Sequence, residues 1–427
     1  MADDVRLAGR SCLRLLRQIA EPTNHAMDIQ LASRIERLPP YVLGRLKQMI
    51  YDARKGGADV IDMNMGNPSD APPDPVVEKL REAILDPRNS RYSVSKGVYN
   101  LRRDMALKYR RKWGVELDPD HEVIATIGSK EGFSHLMLAL LGPGDIAVVA
   151  DPAFQIHTTA VVLAGASVVT VPLGNDDAFL DNIDHVLDSL TPQPKVVILC
   201  YPHNPTALTV ESDFFTKAVE LAQRHQVMLI NDFAYGETCF DGYTAPSLLQ
   251  APRAKDYGVE FSTLSKPYNM AGWRIGFCCG NADMIAGLST IKGYYDYGIF
   301  QAVQIAAIIA MREGDKHIEK QNEKYAARRD LLVAGLRKFG WEVESPRASM
   351  FIWAKVAPEH LEVFGGSTDA FCLAMVEQAE VAMTPGAAFG PRGEGYVRLA
   401  LVENEQRIRQ ALRQLGKLLT LAGSAKG

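Results

Sequence analysis

One lysine in the stretch STLSKPYNMAGWRIGF, residues 262–277, stands among groups suited to hold an anion. Thr263 and Ser265 precede Lys266, and Arg274 follows in a glycine-bracketed Trp–Arg–Ile run. In isolation a Ser–Lys pair before an apolar run reads as a solvated turn between strands. An amine whose pKa is lowered by burial and a neighbouring cation instead forms a Schiff base with an aldehyde. The stretch GSKEG, 128–132, ends a β-rich run and opens a helical one. Backbone N–H groups at Gly128 and Ser129, with the helix dipole, favour an anion there. Ser129 offers that anion a hydroxyl or serves as a helix N-cap, and Lys130 places its N–H in the first turn. Arg274 is a bidentate, charge-assisted partner for an anion. Thr263 adds a hydroxyl, and Ser265 is expected to face the opposite side from it. Asp232 ends the apolar run VMLIND, where a carboxylate is costly without a partner. Arg398 lies within the apolar YVRLAL and needs an anion; a planar carboxylate fits its fork, and a structural ion pair is the other reading. Asn204, in NPTA, reads as a turn residue.

The elements that must position these groups are legible as pattern. Between residues 122 and 280, seven β-rich runs (EVIATI, IAVVA, SVVTV, KVVILCY, VMLIND, VEFSTL and RIGFCC) alternate with helical patterns. Several are continuous in Val and Ile, as strands buried on both faces are. Helical spacing in EGFSHLMLALL and FFTKAVELAQRHQ completes a strand–helix alternation. The expected fold class is α/β: a mostly parallel seven-stranded sheet covered by helices, with ligands at the carboxyl ends of its strands. After about residue 300 a long helical stretch leads to SMFIWAKV, YVRLAL and a closing helix, a smaller α+β domain. The expected organisation is an extension over 1–35, an arm over 36–68 joining the smaller domain, a large domain over 69–305 and the smaller one over 306–427.

At 427 residues the chain exceeds one ordinary core. A content of 47% hydrophobic and 23% charged residues is that of a globular protein. Its net charge of −4 argues against a nucleic-acid or anionic-membrane surface. Six cysteines without CxxC spacing read as reduced core residues of a cytoplasmic protein and give no metal site. No apolar run reaches membrane-spanning length. The N-terminal SCLRLLRQIA carries Arg14 and Arg17, too charged for a signal-peptide core, and Asp3 and Asp4 count against a transit peptide.

Five stretches, GSKEG, NPTA, NDFAY, SKPYNMAGWR and YVRLAL, resemble in order and spacing the class I/II pyridoxal-phosphate aminotransferases of fold type I. The resemblance runs over roughly residues 36–420. RIERLPPYV, TIGSKEG, KPYNMAGWRIGF and ASMFIWAK are similar in particular to the bacterial alanine (glutamate–pyruvate) aminotransferases. It implies that Lys266 carries pyridoxal 5′-phosphate and then moves the proton between substrate Cα and cofactor C4′. It implies that Gly128, Ser129, Lys130, Thr263, Ser265 and Arg274 surround the phosphate, with Tyr92 arriving from a partner subunit. Asp232 would sit opposite the pyridine nitrogen. Tyr235 and Asn204 would bond the ring's 3-oxygen, the latter across a cis Asn204–Pro205 peptide. Phe154, in DPAF where many relatives have tyrosine, would stack on the ring. Arg398 would clamp the substrate α-carboxylate, while Gly66 and Asn67 belong to the loop closing over substrate. A homodimer with shared sites follows, Gly298 lying in a segment that faces the partner site.

The implied reaction is transamination between an α-amino acid and a 2-oxo acid, alanine with 2-oxoglutarate foremost; methionine or leucine as donors stay open. A pyridoxal-phosphate lyase or decarboxylase on the same fold is the second reading. A regulator's effector domain is the third, and 1–35 is short for its DNA-binding module. No second arginine stands out as a clamp for a distal carboxylate; Lys96 and Lys292 are the candidates.

Overall fold

The computed structural model describes residues 29–38 and 42–424. The chain falls into two compact units, 1–37 and 38–427. In the first, the described residues hold one short exposed helix, Ser33–Glu36. Most of the expected extension, with Cys12, Arg14 and Arg17, lies outside the described residues.

In the second unit, β1 (Ile61–Asp62) precedes seven strands that form one sheet. These are β2 (Val123–Thr126), β3 (Ile146–Asp151), β4 (Ser167–Pro172), β5 (Val196–Leu199), β6 (Met228–Asp232), β7 (Gly258–Thr263) and β8 (Gly276–Gly280). Each of the seven β-rich runs becomes one strand, in the order β2-β8-β7-β6-β5-β3-β4. Only β8 runs opposite to the other six strands. Successive side chains alternate between the sheet's two faces. Ala147, Val149, Val196 and Ile198 pack beneath helices Ser129–Leu140, Gln155–Leu163 and Ala282–Tyr295. Val148, Ala150, Val197 and Leu199 pack beneath helices including Tyr99–Trp113, Ser212–His225 and Gln301–Glu313. Phe261 is wholly buried between these layers, and truncating such a ring to alanine costs about 3–5 kcal/mol.

β3 pairs with both β4 and β5, so the chain reverses its progress across the sheet there. Ligands bind outside the carboxyl ends at such a switch point. Thr126, Asp151, Leu199, Asp232 and Thr263 all end strands on this edge. Gly276, the first residue of antiparallel β8, is in register with both Thr126 and Thr263, which returns Arg274 to the same edge.

The remaining strands are β9 (Glu342–Val343), β10 (Phe351–Lys355), β11 (Val381–Ala382), β12 (Thr384–Pro385) and β13 (Tyr396–Ala400). β12-β13-β10-β9 form an antiparallel sheet, and β1 from the N-terminal arm pairs in parallel with β11. Ile352, Ala354, Val397 and Leu399 face a core built with helices Asp315–Arg337, Thr368–Ala379 and Glu405–Ser424. The opposite face carries Phe351, Trp353 and Arg398, with Trp353 and Arg398 directly opposite in register.

The single long helical stretch expected after residue 300 is two helices, Gln301–Glu313 and Asp315–Arg337. Gly314 separates them against the Tyr268 ring, and a Cβ there would lie 2.4 Å from that ring's edge. Among the described residues no helix is long and apolar enough to cross a membrane.

Candidate active site

Lys266 follows the end of β7 in a turn, partly buried, and its ammonium donates to the Gly66 carbonyl. Burial first, then the charges of Arg398 and Arg274, lowers its pKa to about 8, against a smaller opposing pull from Asp232. Its Nζ lies 6.0 Å from the centroid of the Tyr235 ring. Burial pushes the Tyr235 phenol well above its ordinary range, with Arg398 drawing it partly back.

Asp232 ends β6 and is partnered: Oδ2 lies 3.0 Å from Nε2 of His157, and Oδ1 accepts the Ala234 N–H at 3.2 Å. Sequence reasoning missed His157. The available signal was a polar ring in the apolar helix Gln155–Leu163, one turn beyond Phe154. The Phe154 and His157 rings meet edge to face, 5.8 Å between centroids.

At the amino end of helix Ser129–Leu140 the cap is Gly128, with φ +77°, and Ser129 is the first helical residue. The N-cap role allowed for Ser129 is therefore wrong: the helix begins one residue earlier, leaving its hydroxyl without a capping bond. A Cβ on Gly128 would stand 2.2 Å from Arg274 Nη2, so only glycine lets the guanidinium approach the helix end. Arg274 donates to the Ala271 carbonyl at 2.8 Å and has no acidic partner among the described residues. Lys130 is exposed, its pKa lowered by partial desolvation and then by Arg274 and Lys47.

The expectation that Thr263 and Ser265 face opposite sides is corrected. Ser265 lies in the turn just past the end of β7, where its N–H donates to Thr263 Oγ1 at 3.1 Å, and the two hydroxyl oxygens lie 2.9 Å apart. Thr263 Oγ1 is also 2.9 Å from the Ile275 carbonyl, which ties it to the segment entering β8.

Arg398 is 5% exposed. It donates to Asn204 Oδ1 at 2.8 Å and to the Asn64 carbonyl at 2.9 Å. Its Cζ lies 4.0 Å from the Phe351 ring centroid and 4.6 Å from that of Phe389. Its Nε has no hydrogen-bond partner, and no carboxylate pairs with it among the described residues. Burial lowers its pKa to about 10. Asn204 spends its carbonyl on Arg398 and keeps two N–H donors; the Asn204–Pro205 peptide is cis, as expected.

Lys292 does not serve as a distal clamp. It is wholly buried between Glu131 and Asp296, each 3.0 Å from its ammonium. Lys96 donates to the Asp120 carbonyl at 3.4 Å. Tyr92 stands apart from these groups, 85% exposed with its ring against Tyr297. A cleft of about 600 Å³ between Thr206–Thr209, Glu342–Arg347 and Trp353 contains none of Lys266, Asp232, Arg274 or Arg398.

A lysine of lowered pKa, a partnered buried carboxylate and an anion cradle at a helix end thus share one edge of an α/β sheet, and an unpaired buried arginine from β13 reaches that edge through Asn204. The chain belongs to the class I and II aminotransferases, whose sequence profile matches residues 58–415. It is a transaminase that depends on pyridoxal phosphate, of fold type I. It is 45% identical over 391 residues to the glutamate–pyruvate aminotransferase AlaC of Escherichia coli, covering 92% of this chain and 94% of that protein. It is 42% identical to an LL-diaminopimelate aminotransferase of Halothermothrix orenii, covering 90% and 97%. Substrate-bound BacF from Bacillus subtilis superposes with a TM-score of 0.86 at 30% identity, over 92% of this chain and 98% of that one.

The residues present fit the cofactor. The space between Gly128 and Arg274 is one that a single Cβ would fill, and the guanidinium beside it has no acid of its own. Gly128, Ser129, Ser265 and Arg274 would hold the phosphate, with Thr263 bracing Ser265; Asp232 would face the ring nitrogen and Lys266 the aldehyde.

Proposed function

We propose that this transaminase exchanges the amino group of an α-amino acid, alanine, with a 2-oxo acid, in two half-reactions that use one site in turn. The supporting observation is Arg398, a buried guanidinium between two aromatic rings without a carboxylate partner among the described residues. A desolvated arginine in that state is satisfied by a planar anion, which an α-carboxylate supplies. The 45% identity to the glutamate–pyruvate enzyme supports alanine and the 2-oxoglutarate/pyruvate pair.

Pyridoxal phosphate, when bound, supplies an aldehyde for amines and a ring that withdraws electrons from substrate Cα. The rest falls to the chain. Lowering the Lys266 pKa from 10.5 to about 8 raises its neutral fraction at pH 7 roughly 300-fold. Nζ can then accept the Cα proton and return it. Asp232, held by His157 and the Ala234 N–H, keeps a carboxylate oriented toward the ring nitrogen. Tyr235 and the Asn204 amide offer donors to the ring's 3-oxygen, Phe154 offers a stacking face, and Gly66 and Asn67 border the substrate.

In the same reading, residues 69–305 form the cofactor-binding domain and 306–427 the smaller one, with 36–68 as its arm. The enzyme acts as a homodimer in the cytoplasm. Tyr92, Tyr294, Tyr295 and Tyr297 are 85%, 89%, 66% and 64% exposed, an aromatic cluster suited to a second copy. Tyr92 would reach the partner's phosphate site, with Gly298 in the adjoining segment.

The relatives named for LL-diaminopimelate favour a second reading, a donor whose far end carries a second carboxylate and, beside it, a second amino group. That amino group calls for an acid, and among the described residues named around Lys266 the one acid, Asp232, is held by His157. Alanine, LL-diaminopimelate, methionine and leucine should be compared as donors to pyruvate and 2-oxoglutarate, with the oxo-acid products identified. Alanine should give the highest kcat/KM with 2-oxoglutarate. Inert alanine beside a reactive diaminopimelate would establish the second reading.

A further inference from the structure

Helix Tyr99–Trp113 packs apolar side chains on the sheet, yet it also buries a lysine. Lys108 is 1% exposed, and nothing in the proposed reaction uses it. Its ammonium donates to Glu237 and, across 2.9 Å, to the Tyr268 hydroxyl. It also lies 4.6 Å from the centroid of the Tyr268 ring. These partners have telling positions: Glu237 comes two residues after Tyr235, and Tyr268 two after Lys266. One buried cation therefore ties together the two segments that carry the amine and the phenol.

The remaining anchors are stiff. Tyr268 is wholly buried with its ring against Gly314, Asn322 donates to the Glu237 carbonyl at 2.9 Å, and Asn269 donates to the Ala71 carbonyl at 3.2 Å. Lys112, from the same helix, also pairs with Glu237, and Asp315 answers Lys112 and Arg111. Burial works to raise the Glu237 pKa, and the two lysines overcome it and hold it below the ordinary value. Lys112 alone is a counter-ion for Glu237. A second, fully buried ammonium is costly unless it does more than neutralise, and what Lys108 adds is the bond to Tyr268.

We propose that Lys108 is a positioning residue: through Tyr268 and Glu237 it sets the distance between Lys266 and Tyr235, and so the proton affinity at Lys266 Nζ. The proposal rests on Lys266 as the cofactor-bearing lysine. Lys108 touches neither substrate nor cofactor; it acts on geometry, where misplacement of about 1 Å costs up to about 10²-fold in rate.

The test uses the holoenzyme in four forms: wild type, Lys108→Met, Tyr268→Phe and Lys112→Met. Each is titrated with pH while the visible cofactor band is followed, and kcat and KM are measured for the amino donor. Lys108→Met and Tyr268→Phe should move the spectroscopic midpoint in the same direction, by about half a unit or more. Both should lower kcat on the order of tenfold with little change in KM. Lys112→Met, which keeps the bond to Tyr268, should retain the wild-type midpoint. Should Lys108→Met not fold, Tyr268→Phe decides, since it keeps the ring and removes only the hydroxyl. Wild-type midpoints and kcat in both link variants would overturn the proposal even if thermal stability fell. So would an equal shift in Lys112→Met, which would make the cluster a matter of charge alone. Borohydride reduction of the wild type, with the adduct located by peptide mass, separates the two levels. An adduct on another lysine overturns the Lys266 reading and this proposal with it; an adduct on Lys266 with unmoved midpoints overturns this proposal alone.

Discussion

Arg398 in β13 donates a 2.8 Å hydrogen bond to Asn204 Oδ1, in the loop after β5, so one bond joins the small antiparallel sheet to the carboxyl edge of the large one. The guanidinium Nε has no partner of its own among the described residues and is left to donate to a carboxylate. Arg398→Ala should lower kcat/KM for alanine by about 2–5 kcal/mol, roughly 30- to several-thousand-fold. Ethylamine, which lacks the carboxylate, should be a very poor donor to both forms. An equal loss toward alanine and ethylamine would remove Arg398 from the carboxylate site.

Asp232→Asn keeps the shape and removes the charge. Turnover should fall on the order of 10²–10³-fold, with a smaller effect on donor KM, because the carboxylate acts on charge that develops in the transition state. His157→Ala should reduce turnover less, since the carboxylate keeps the Ala234 N–H. Steady-state rates of both variants check this; an undiminished kcat in Asp232→Asn would rule out its role at the ring nitrogen.

The large sheet was legible because its inner strands are buried on both faces and so carry their identity locally, in the apolar, Val- and Ile-rich runs of β3 and β5. The reactive groups were legible where a charged residue interrupts an apolar run, as Asp232 and Arg398 do. Partnerships across the sequence were not. His157 and Asp232 are 75 residues apart, and only the parallel register of β3, β5 and β6 brings them together. Of the two acids that hold Lys292, Asp296 stands one helical turn away, whereas Glu131 is 161 residues distant and invisible to local pattern. The meeting of Thr263 and Ser265 depends on the turn that follows β7, which brings the Ser265 N–H onto the Thr263 hydroxyl and which strand alternation does not describe.

Gly128→Ala tests the anion cradle. The added methyl meets Arg274, and φ is +77°, a conformation costly for alanine. Cofactor affinity, measured by fluorescence titration, should fall at least about tenfold, with a loss of about 1 kcal/mol in stability. Unchanged affinity would place the phosphate elsewhere.

The Lys266 pKa of about 8 gives a pH signature. Because burial, Arg398 and Arg274 depress it, the amine is neutral above that value and protonates as pH falls through it. In cofactor-depleted protein, the rate of pyridoxal-phosphate capture should rise with pH with a midpoint near 8. Arg398→Ala removes one repelling cation, so its midpoint should move upward. A midpoint near the ordinary lysine value of 10.5 in the wild type would contradict the burial of this amine.

The most direct test of the account is where the cofactor attaches. Borohydride treatment of the yellow holoenzyme should abolish the band above 400 nm and leave a stable phosphopyridoxyl group. Digestion and mass spectrometry should find that group on Lys266, in the peptide containing SKPYNMAGWR, and should find none in Lys266→Ala. A stoichiometric adduct on Lys130, Lys292 or any other lysine would contradict the site as assigned.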